Sequence, residues 1–406
     1  MKGNVIVGQS GGPTAVINSS LAGVYRTAVD RGAKKVYGML YGIQGLLDEQ
    51  YVDLSKYIRS DLDVEILKRT PSAFLGTCRY KLPDIHENQE IYVKIFEILN
   101  KLNIECFIYI GGNDSMDTIK KLSDYAILTG QSQKFVGVPK TIDNDLPVTD
   151  HTPGYGSAAK YVASTVREIS LDASVYQQPA VTIVELMGRH AGWVTAASAL
   201  ARKYPGDNPL LIYMPEVPFS MEQFFKDVEQ ALSRQPNVVI CVSEGIRDKK
   251  GRFICEYTND AQIDTFGHKM LTGCAKILES YVRNRFRVKV RSVELNVNQR
   301  CSSLLASAAD VEEAECSGRR AAEKALQGET GKMVTCSRLS GPGYELEYGL
   351  TEVGNVCNRE KSFPVEWITA EGSDIGPEFL DYALPLIQGQ PDHIMENGLP
   401  KYLYRK

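Results

Sequence analysis

KFVGVPKTIDND, residues 134–145, joins a short apolar run to a loop that carries two carboxylates. The run Lys134-Phe-Val-Gly-Val138 predicts a β-strand that is buried on both faces, as in a parallel sheet covered by helices. Ligands of open α/β sheets bind at the carboxyl ends of the strands, where the loop Pro139-Lys-Thr-Ile-Asp-Asn-Asp145 begins. The stretch therefore predicts an α/β fold with a functional site at the edge of its sheet.

Similar apolar runs recur on both sides of this stretch. They are Asn4-Val-Ile-Val7, Cys106-Phe-Ile-Tyr-Ile110, Ala180-Val-Thr-Ile-Val184, Leu210-Leu-Ile-Tyr213 and Asn237-Val-Val-Ile-Cys-Val242. Patterns with helical spacing separate them, and the clearest predicts a helix that ends near Asn103, with an apolar stripe of Ile91, Ile95, Ile98, Leu99 and Leu102. Strands that alternate with helices predict mostly parallel sheets.

The pattern divides into two α/β blocks and a tail. We predict a first domain over residues 1–150, joined by part of 300–340, and a second domain over 151–299. From about residue 340, stretches rich in Gly and Pro replace the alternation. Residues 340–406 are therefore predicted to be a C-terminal extension packed on the core.

The composition excludes several classes of protein. With 43% hydrophobic and 24% charged residues, the 406-residue chain has the composition of a globular protein. A net charge of −4 without a basic block argues against nucleic acid as a partner. No stretch approaches the ~18–20 apolar residues that cross a bilayer, so we expect no membrane partner. Nine dispersed cysteines without a C-x-x-C pair fit reduced thiols, so we expect a cytoplasmic protein without a zinc site.

Two glycine-rich loops follow predicted strands. Gly8-Gln-Ser-Gly-Gly-Pro-Thr-Ala15 precedes a helix whose first turn is predicted to hold Pro13 and Thr14, where backbone amides can meet an anion. A tight β-α turn is the alternative for this loop. Gly111-Gly-Asn-Asp-Ser-Met-Asp117 adds carboxylate, amide and hydroxyl oxygens, which suit Mg²⁺. Asp117 has an alternative role as a helix-start residue favoured by the helix dipole.

The loop after the quoted strand carries the strongest signal. Asp143 and Asp145 lie two residues apart, with Lys140 and Thr141 just upstream. One carboxylate can accept the proton of an attacking hydroxyl while the other orients a metal ion or its bound water. An Asx-rich turn is the alternative. Three successive loops of this kind favour a phosphoryl-transfer site.

The second block brings arginines and a glutamate after its strands. Met187-Gly-Arg-His190 and Ser243-Glu-Gly245 each follow a strand, and Arg291 and Arg300 lie further along. Guanidinium groups bind phosphate bidentately and a glutamate accepts sugar hydroxyls, which predicts a sugar-phosphate pocket. A surface ion pair is the alternative for each arginine taken singly. An earlier loop carries two cations, Arg79 and Lys81, that are candidates to bind the transferred phosphate. A solvated loop charge is the alternative for both.

These loops, in this order, resemble the phosphofructokinase family over about residues 3–330. The motifs are G-G-x-x-S, T-I-D-N-D, M-G-R, E-G and Q-R. The resemblance implies two Rossmann-like α/β/α domains with the active site in the cleft between them. It further implies Mg²⁺-assisted transfer of a phosphoryl group to the 1-hydroxyl of fructose 6-phosphate, a reversible step of glycolysis and gluconeogenesis, in a homodimer or homotetramer.

The resemblance also implies roles for individual residues. Asp143 is the expected general base, and Asp145 and Asn113 are the expected metal ligands, with Asn113 replacing the usual aspartate. Arg291 is the expected phosphate clamp, which this family often contributes across a subunit interface. The substrate contacts are expected from Thr141, Ile142, Asp143, Met187, Gly188, Arg189, Glu244, Arg291 and Arg300. The pyrophosphate contacts are expected from Gly11, Gly12, Arg79, Lys81 and Lys140.

Two departures from the ATP-using members of the family concern the phosphoryl donor. Those members carry G-G-D-G-S and P-G-T-I-D-N-D, whereas this chain has Asp114 and Lys140 at the two glycine positions. A carboxylate at 114 fills space that a nucleotide needs and repels its phosphates, and Lys140 supplies a cation. The pair resembles the pyrophosphate-dependent branch, so both residues are expected to act in catalysis and donor choice.

Two alternatives remain open at this point. One is an ATP-dependent kinase, and the other is a non-catalytic sugar-phosphate sensor on the same fold. The joint presence of Asp143, Asp145, Lys140 and Arg189 argues against the sensor, because binding alone needs no proton acceptor.

Overall fold

The computed structural model of the chain describes residues 3–257, 273–341 and 343–405. Its strands are β1 (Asn4–Gln9), β2 (Val36–Met39), β3 (Tyr51–Asp53), β4 (Ile104–Gly111), β5 (Lys134–Pro139), β6 (Ala180–Leu186), β7 (Leu211–Tyr213), β8 (Asn237–Ser243), β9 (Lys289–Glu294), β10 (Lys332–Arg338), β11 (Leu346–Glu352), β12 (Ile368–Thr369), β13 (Asp374–Ile375), β14 (Met395–Glu396) and β15 (Leu399–Pro400).

Its α-helices are α1 (Ile17–Asp30), α2 (Gly42–Leu47), α3 (Asp61–Arg69), α4 (Gln89–Lys101), α5 (Asn113–Thr129), α6 (Tyr155–Ala173), α7 (Trp193–Ala196), α8 (Met221–Arg234), α9 (Cys274–Phe286), α10 (Asn298–Cys301), α11 (Ala308–Leu326) and α12 (Pro377–Ala383). Short 3-10 segments occur at Leu54–Lys56, Ala197–Ala201, Ile254–Tyr257, Val353–Asn355, Val365–Trp367, Ala370–Gly372 and Leu384–Ile387.

The chain folds into two compact units. The first unit comprises Met1–Ser157, Arg300–Lys361 and Gln388–Lys406, and the second comprises Ala158–Gln299 and Ser362–Ile387. The first division between the units comes after Ser157, seven residues beyond the domain boundary predicted at residue 150. The C-terminal region is not the single appendage expected over 340–406, because its middle part joins the second unit and the rest joins the first.

A seven-stranded sheet forms the centre of the first unit, in the order β11-β10-β5-β4-β1-β2-β3. The strands from β10 to β2 are parallel, and β11 and β3 pair antiparallel at the two edges. The polar loops after β1, β4 and β5 therefore leave the same edge of the sheet, because those strands are parallel neighbours. This confirms the predicted α/β fold with a mostly parallel sheet.

The second unit contains a parallel sheet in the order β7-β8-β6-β9. The loops after β6 and β8, which carry the predicted sugar-phosphate residues, leave adjacent strands at the same edge. In strand β6, the buried Glu185 also accepts hydrogen bonds from the amides of Gly273 and Ala275, at 3.0 and 2.8 Å. These bonds fix the start of α9 against the sheet.

Alternation of side chains along the first sheet builds two core clusters. On β1, Val5 and Val7 pack into one cluster and Ile6 into the other. On β4, Phe107 and Tyr109 lie in the cluster that contains Ile6. Burying each such side chain contributes about 1.5–3 kcal/mol, so the sheet holds its loops on a rigid base.

Sequence and structure differ mainly in strands near the edges of the sheets. Strands β2, β3, β9, β10 and β11 were not predicted, because their sequences mix polar residues with apolar ones and read as loops or helix ends. Strand β11 shows this most clearly, because its residues alternate between partly buried and exposed along most of its length. Within the described residues, no helix is long and apolar enough to cross a membrane.

Candidate active site

Lys140 lies at the centre of the loops at the edge of the first sheet. It follows β5 directly and is 3% exposed. Its ammonium donates a 2.7 Å hydrogen bond to the carbonyl of Gly12, and its backbone amide donates to the carbonyl of Gly111 at 3.1 Å. One residue therefore joins the loops that follow β1, β4 and β5.

The environment of Lys140 is mixed in charge. Burial lowers the pKa of its ammonium to about 8, against the opposing charges of Asp143 and Asp145. The charges of Arg300 and Arg79 lower this pKa further. Lys140 thus interacts electrostatically with four charged groups that the sequence had predicted to act on the attacking hydroxyl, the metal ion or a phosphate.

Asp143 and Asp145 lie in a tight turn stabilised by their own loop. The backbone amide of Asp143 donates to Thr141 Oγ1 at 3.0 Å, and the Thr141 backbone bridges to Gly154. Asn144 between them has a φ of 53° and accepts a 3.0 Å hydrogen bond from Thr152. The Asx-rich turn is therefore real, and it also fixes the positions of the two carboxylates.

The two carboxylates interact strongly. Burial, followed by the charge of Asp143, raises the pKa of the Asp145 carboxyl to about 7. Glu360, from the C-terminal region, raises it further, and Lys140 opposes the shift. Negative charge is thus concentrated beside a buried ammonium.

The loop after β1 differs from its prediction in two respects. Helix α1 begins at Ile17, so Pro13 and Thr14 precede it instead of forming its first turn. The backbone amide of Gly11 donates to the Cys78 carbonyl at 3.0 Å, so it is already engaged within the protein. Gly11 has a φ of 76°, which favours glycine, and its role here is to shape the loop.

Gly12 lies beside two cations. Its carbonyl accepts from Lys140, and a Cβ placed on it would meet a guanidinium nitrogen of Arg300 at 3.4 Å. Arg300 belongs to the first unit, in agreement with the predicted boundary at residue 299. It was nevertheless grouped from sequence with the sugar-phosphate residues of the second block. Arg79 is exposed and acts on Lys140 electrostatically, while Lys81 is exposed, and its contact with pyrophosphate stays a prediction.

The loop after β4 has its polar side chains divided between different partners. Asp114 is exposed in the first turn of α5. Asp117 is buried and forms an ion pair with Lys121 at 2.7 Å, which explains it as a structural residue. The amide group of Asn113 is bonded to the backbone of Asn358 and Arg359, so the predicted metal ligand has both of its polar atoms engaged.

In the second unit, the loops after β6 and β8 are bonded to one another. Glu244 Oε1 accepts a 3.3 Å hydrogen bond from the Gly188 amide, and Ser243 Oγ donates to the Gly188 carbonyl at 2.5 Å. Gly188 has a φ of 137°, and a Cβ there would lie 2.6 Å from the Ala191 carbonyl oxygen. Only glycine fits this position, which lies between Met187 and Arg189 in the chain.

The remaining residues of this region separate into two groups. The carbonyl of Arg189 lies within 3.4 Å of the Arg247 guanidinium, which also contacts His190 Nδ1 at 3.1 Å, so His190 is a structural residue. Arg291 lies in the middle of edge strand β9, where its exposed guanidinium is 3.8 Å from Asp172. The structure therefore does not place Arg291 with Glu244, and its role as a phosphate clamp stays a prediction.

The chemistry of the first unit suits a cation that keeps few protein ligands. No three His, Cys, Asp or Glu side chains of the described chain come together as a metal cage. Mg²⁺ is usually held by one or two carboxylates, with waters and substrate phosphates as its other ligands. Asp145, with Asp143 next to it, fits such a site, because a bound cation would offset their mutual repulsion.

Sequence reasoning missed the contribution of the C-terminal region to this site. Asn358, Glu360 and Lys361 all act on the loops after β4 and β5, through hydrogen bonds or charge. The only sequence signal is the polar run Asn358-Arg-Glu-Lys361, which resembles an ordinary solvated segment.

Comparison with known proteins gives a consistent result. A profile of the phosphofructokinase family, described as "Phosphofructokinase", matches residues 4–310. The chain is 39% identical to the pyrophosphate–fructose 6-phosphate 1-phosphotransferase of Halomonas elongata over 402 residues, covering 98% of this chain and 95% of that protein. It is also 39% identical to the enzyme of the same name from Rhodospirillum rubrum over 413 residues, covering 100% of each.

A solved structure agrees in fold over nearly the whole chain. The pyrophosphate-dependent phosphofructokinase of Marinobacter aquaeolei superimposes with a TM-score of 0.88 at 36% identity, covering 99% of this chain and 95% of that one. The family profile spans well over half of the sequence, and the relatives are matched end to end. The chain belongs to the phosphofructokinase family.

Proposed function

We propose that this chain transfers a phosphoryl group from pyrophosphate to the 1-hydroxyl of fructose 6-phosphate, giving fructose 1,6-bisphosphate and phosphate, in a reversible reaction. The observation that carries the choice of donor is Lys140. It places a buried ammonium 2.7 Å from the Gly12 carbonyl, where the ATP-using members have glycine. The full-length similarity to enzymes named for pyrophosphate supports the same donor.

Asp143 acts as the general base in this proposal. The 1-hydroxyl oxygen attacks one phosphorus of pyrophosphate, the bridging P–O bond breaks, and the hydroxyl proton goes to Asp143. The Thr141–Asp143 hydrogen bond supports this role, because it holds the carboxylate in a fixed turn after β5. A base in hydrogen-bond reach of the proton contributes about 10²–10⁴-fold to the rate.

Lys140 and Arg79 neutralise the charge on the transferred and leaving phosphates, and Arg300, which was assigned from sequence to the sugar phosphate, is proposed to join them because its guanidinium lies beside Gly12. The electrostatic action of both arginines on the Lys140 ammonium supports this assignment, because a site that gathers cations favours the binding of an anion. Phosphoryl transfer depends mainly on positioning and electrostatic stabilisation, so such a cluster supplies what pyrophosphate needs. Gly12 contributes backbone to the same cluster.

Enzymes of this family generally need a divalent metal, and we propose Mg²⁺ held by Asp145. When bound, Mg²⁺ supplies charge neutralisation and orients the phosphate oxygens. Asp145 lies beside Asp143 at the edge of the sheet, which supports it as the ligand. Asn113 is a weaker candidate, since the protein already uses both polar atoms of its amide.

Fructose 6-phosphate is bound in this proposal by the loops after β6 and β8. Arg189 takes the 6-phosphate and Glu244 the sugar hydroxyls, with Met187 and Gly188 forming the wall. The Gly188–Glu244 hydrogen bond supports this role, because it couples the two loops into one surface. Arg291 is proposed to act across the interface of a homodimer or homotetramer, which sedimentation of the purified chain would test.

The decisive experiment offers fructose 6-phosphate with pyrophosphate, ATP or ADP separately, in the presence of Mg²⁺. We expect rapid formation of fructose 1,6-bisphosphate only with pyrophosphate, loss of turnover on chelation, and recovery on adding Mg²⁺. Asp143→Asn is the control for contaminating activity. Preference for ATP would establish the alternative kinase, and tight sugar-phosphate binding without turnover would establish the sensor.

A further inference from the structure

A short segment of the C-terminal region contacts both polar loops beside Lys140. We call Asn358–Lys361 the tether segment. The chain just before it is fixed, because Val353, Val356 and Cys357 are buried in the core cluster that also contains Met116 of α5. The tether segment therefore starts from a rigid point of the first unit.

Asn358 and Arg359 hold the loop after β4. The Asn358 amide donates to Asn113 Oδ1 at 2.5 Å, and Asn113 Nδ2 donates to the Arg359 carbonyl. The Asn358 side chain also donates to Asp117 Oδ1 at 3.3 Å. Asn358 has a φ of 59°, a conformation that asparagine adopts more readily than most residues. Together these bonds anchor the first turn of α5, where Asp114 lies.

Lys361 holds the loop after β5. Its backbone amide donates to the Asp145 carbonyl at 2.7 Å, and its ammonium donates to the carbonyls of Asp150 and Thr149 at 2.8 and 3.2 Å. A single residue thus fixes both ends of the chain that runs from Asp145 to Asp150. This chain leads directly out of the turn with the two carboxylates.

We infer that the tether segment sets the distance between the loops after β4 and β5, and that Lys361 and Asn113 are positioning residues for phosphoryl transfer. The inference rests on the proposed function. The rate of phosphoryl transfer depends on the alignment of donor and acceptor, and a displacement of the reacting groups by about 1 Å lowers the rate roughly 10²-fold. Asn113 is thereby assigned to the tether segment and not to the metal.

The first experiment compares Lys361→Met with Lys361→Arg. Methionine keeps the length and apolar stem of the side chain but removes the two hydrogen bonds to carbonyls, whereas arginine keeps donors at its end. We expect kcat to fall about 10²-fold in Lys361→Met and to recover largely in Lys361→Arg. Lys401→Met, which removes an exposed lysine paired with Glu396, is the matched control and should behave as wild type.

Calorimetry separates positioning from a general loss of structure. We expect Lys361→Met to bind magnesium pyrophosphate more weakly, while its affinity for fructose 6-phosphate alone stays that of wild type. Equal weakening of both ligands would show that the residue only stabilises the fold, and would overturn the inference. Unchanged turnover and pyrophosphate affinity would overturn it as well.

Asn113→Asp tests the second positioning residue and does not depend on Lys361 variants folding. Aspartate keeps the acceptor for Asn358 but loses the donor to Arg359 and places a charge opposite that carbonyl. If Asn113 acts through the tether segment, Asn113→Asp should have a lower kcat than wild type. The Mg²⁺ concentration for half-activation and the calorimetric Mg²⁺ affinity should both equal those of wild type. A metal ligand predicts tighter Mg²⁺ binding, which would overturn the inference.

These outcomes are distinct from failure of the proposed function. If wild type forms no fructose 1,6-bisphosphate from pyrophosphate, the proposed function is wrong. If wild type is active and both Lys361→Met and Asn113→Asp match it, the function stands and the tether is wrong.

Discussion

Lys140 shows how burial tunes a single residue for its ligand. Its pKa is lowered to about 8, chiefly by burial, so it is a cation below pH 8 and loses its charge above it. We expect the KM for pyrophosphate to rise as the pH passes through about 8. Lys140→Arg should abolish this rise in KM, because the guanidinium stays charged throughout this pH range.

The measurement is the KM for pyrophosphate between pH 6.5 and 9.5 in both enzymes. The ionisation of pyrophosphate itself is common to both, so only the difference between the two curves reports on Lys140. Parallel curves would show that the Lys140 charge does not act on the donor.

Asp143 provides the test of the chemical step. Asp143→Asn keeps the turn, since the backbone amide still donates to Thr141, but it removes the proton acceptor. We expect kcat to fall about 10²–10⁴-fold, while the KM for fructose 6-phosphate hardly changes. Turnover close to that of wild type would remove Asp143 from the role of general base.

Asp114 and Lys140 together provide the test of donor choice. Asp114 is exposed at the start of α5, so Asp114→Gly removes a block to a larger donor without removing a buried partner. We expect ATP use to appear in Asp114→Gly and pyrophosphate use to collapse in Lys140→Gly. Kinetics of both single variants and the double variant with each donor would show whether Asp114 gates ATP.

At the residue scale, prediction from sequence is most direct where the residues of a site are neighbours in the chain. Lys140, Asp143 and Asp145 follow one strand, so their proximity is set by a few bonds. Arg300 was grouped with the sugar-phosphate residues of the second block, although the predicted boundary at residue 299 already assigned it to the first domain, where its guanidinium lies beside Gly12.

At the scale of elements, the strands with uninterrupted apolar runs were predictable and those of mixed composition were not. Strands such as β4 and β8 are buried almost along their whole length, and a run of apolar residues identifies them. Strand β9 lies at the edge of the described sheet, next to β6, and mixes charged residues with two valines. Its sequence therefore gives a weak strand signal. The loops of the candidate site follow the buried strands, which is why most of the site was visible in the sequence.

The loops after β6 and β8 predict a selective effect on one substrate. If Arg189 binds the 6-phosphate, Arg189→Ala should weaken fructose 6-phosphate by about 2–5 kcal/mol, the cost of removing one partner of a desolvated charge pair. The KM for pyrophosphate should move much less. Arg234→Ala, at the exposed end of α8, is the matched control.

Steady-state KM values for both substrates would decide this assignment. Equal weakening of the two substrates in Arg189→Ala would place this arginine in the scaffold or at the transferred phosphate. The neighbouring Gly188 offers no clean test, because any side chain there would meet the Ala191 carbonyl.

At the scale of the whole molecule, one buried network joins distant parts of the first unit. His151 is 1% exposed and lies between Asp150 and Glu313, at 2.8 and 2.7 Å from its two ring nitrogens. The Cys336 sulfur faces the same ring, and Tyr344 donates to Glu313 at 2.6 Å. The network thus links the chain after the turn with Asp143 and Asp145 to strand β10 and helix α11.

The network makes the stability of the first unit depend on pH in a definite direction. Burial alone would lower the pKa of His151, but Cys336, Asp150 and Glu313 outweigh it and hold the pKa well above the ordinary value of 6.5. A raised folded pKa means that the stabilisation is complete below pH 6.5 and is lost as the pH rises through the folded value. His151→Gln should therefore cost about 3–5 kcal/mol at pH 6, as for breaking a buried charge pair, and progressively less at alkaline pH.

Thermal unfolding of wild type and His151→Gln at a series of pH values would measure that difference, with His86→Gln, an exposed histidine, as control. Comparing variants at each pH cancels the other titrating groups of the chain, including Lys361 beside Asp150. A penalty that stays constant from pH 6 to pH 10 would mean that His151 stabilises by packing and hydrogen bonding without its charge. A penalty that shrinks with rising pH would establish that an imidazolium, held between carboxylates from elements far apart in sequence, stabilises the chain that follows the turn with Asp143 and Asp145.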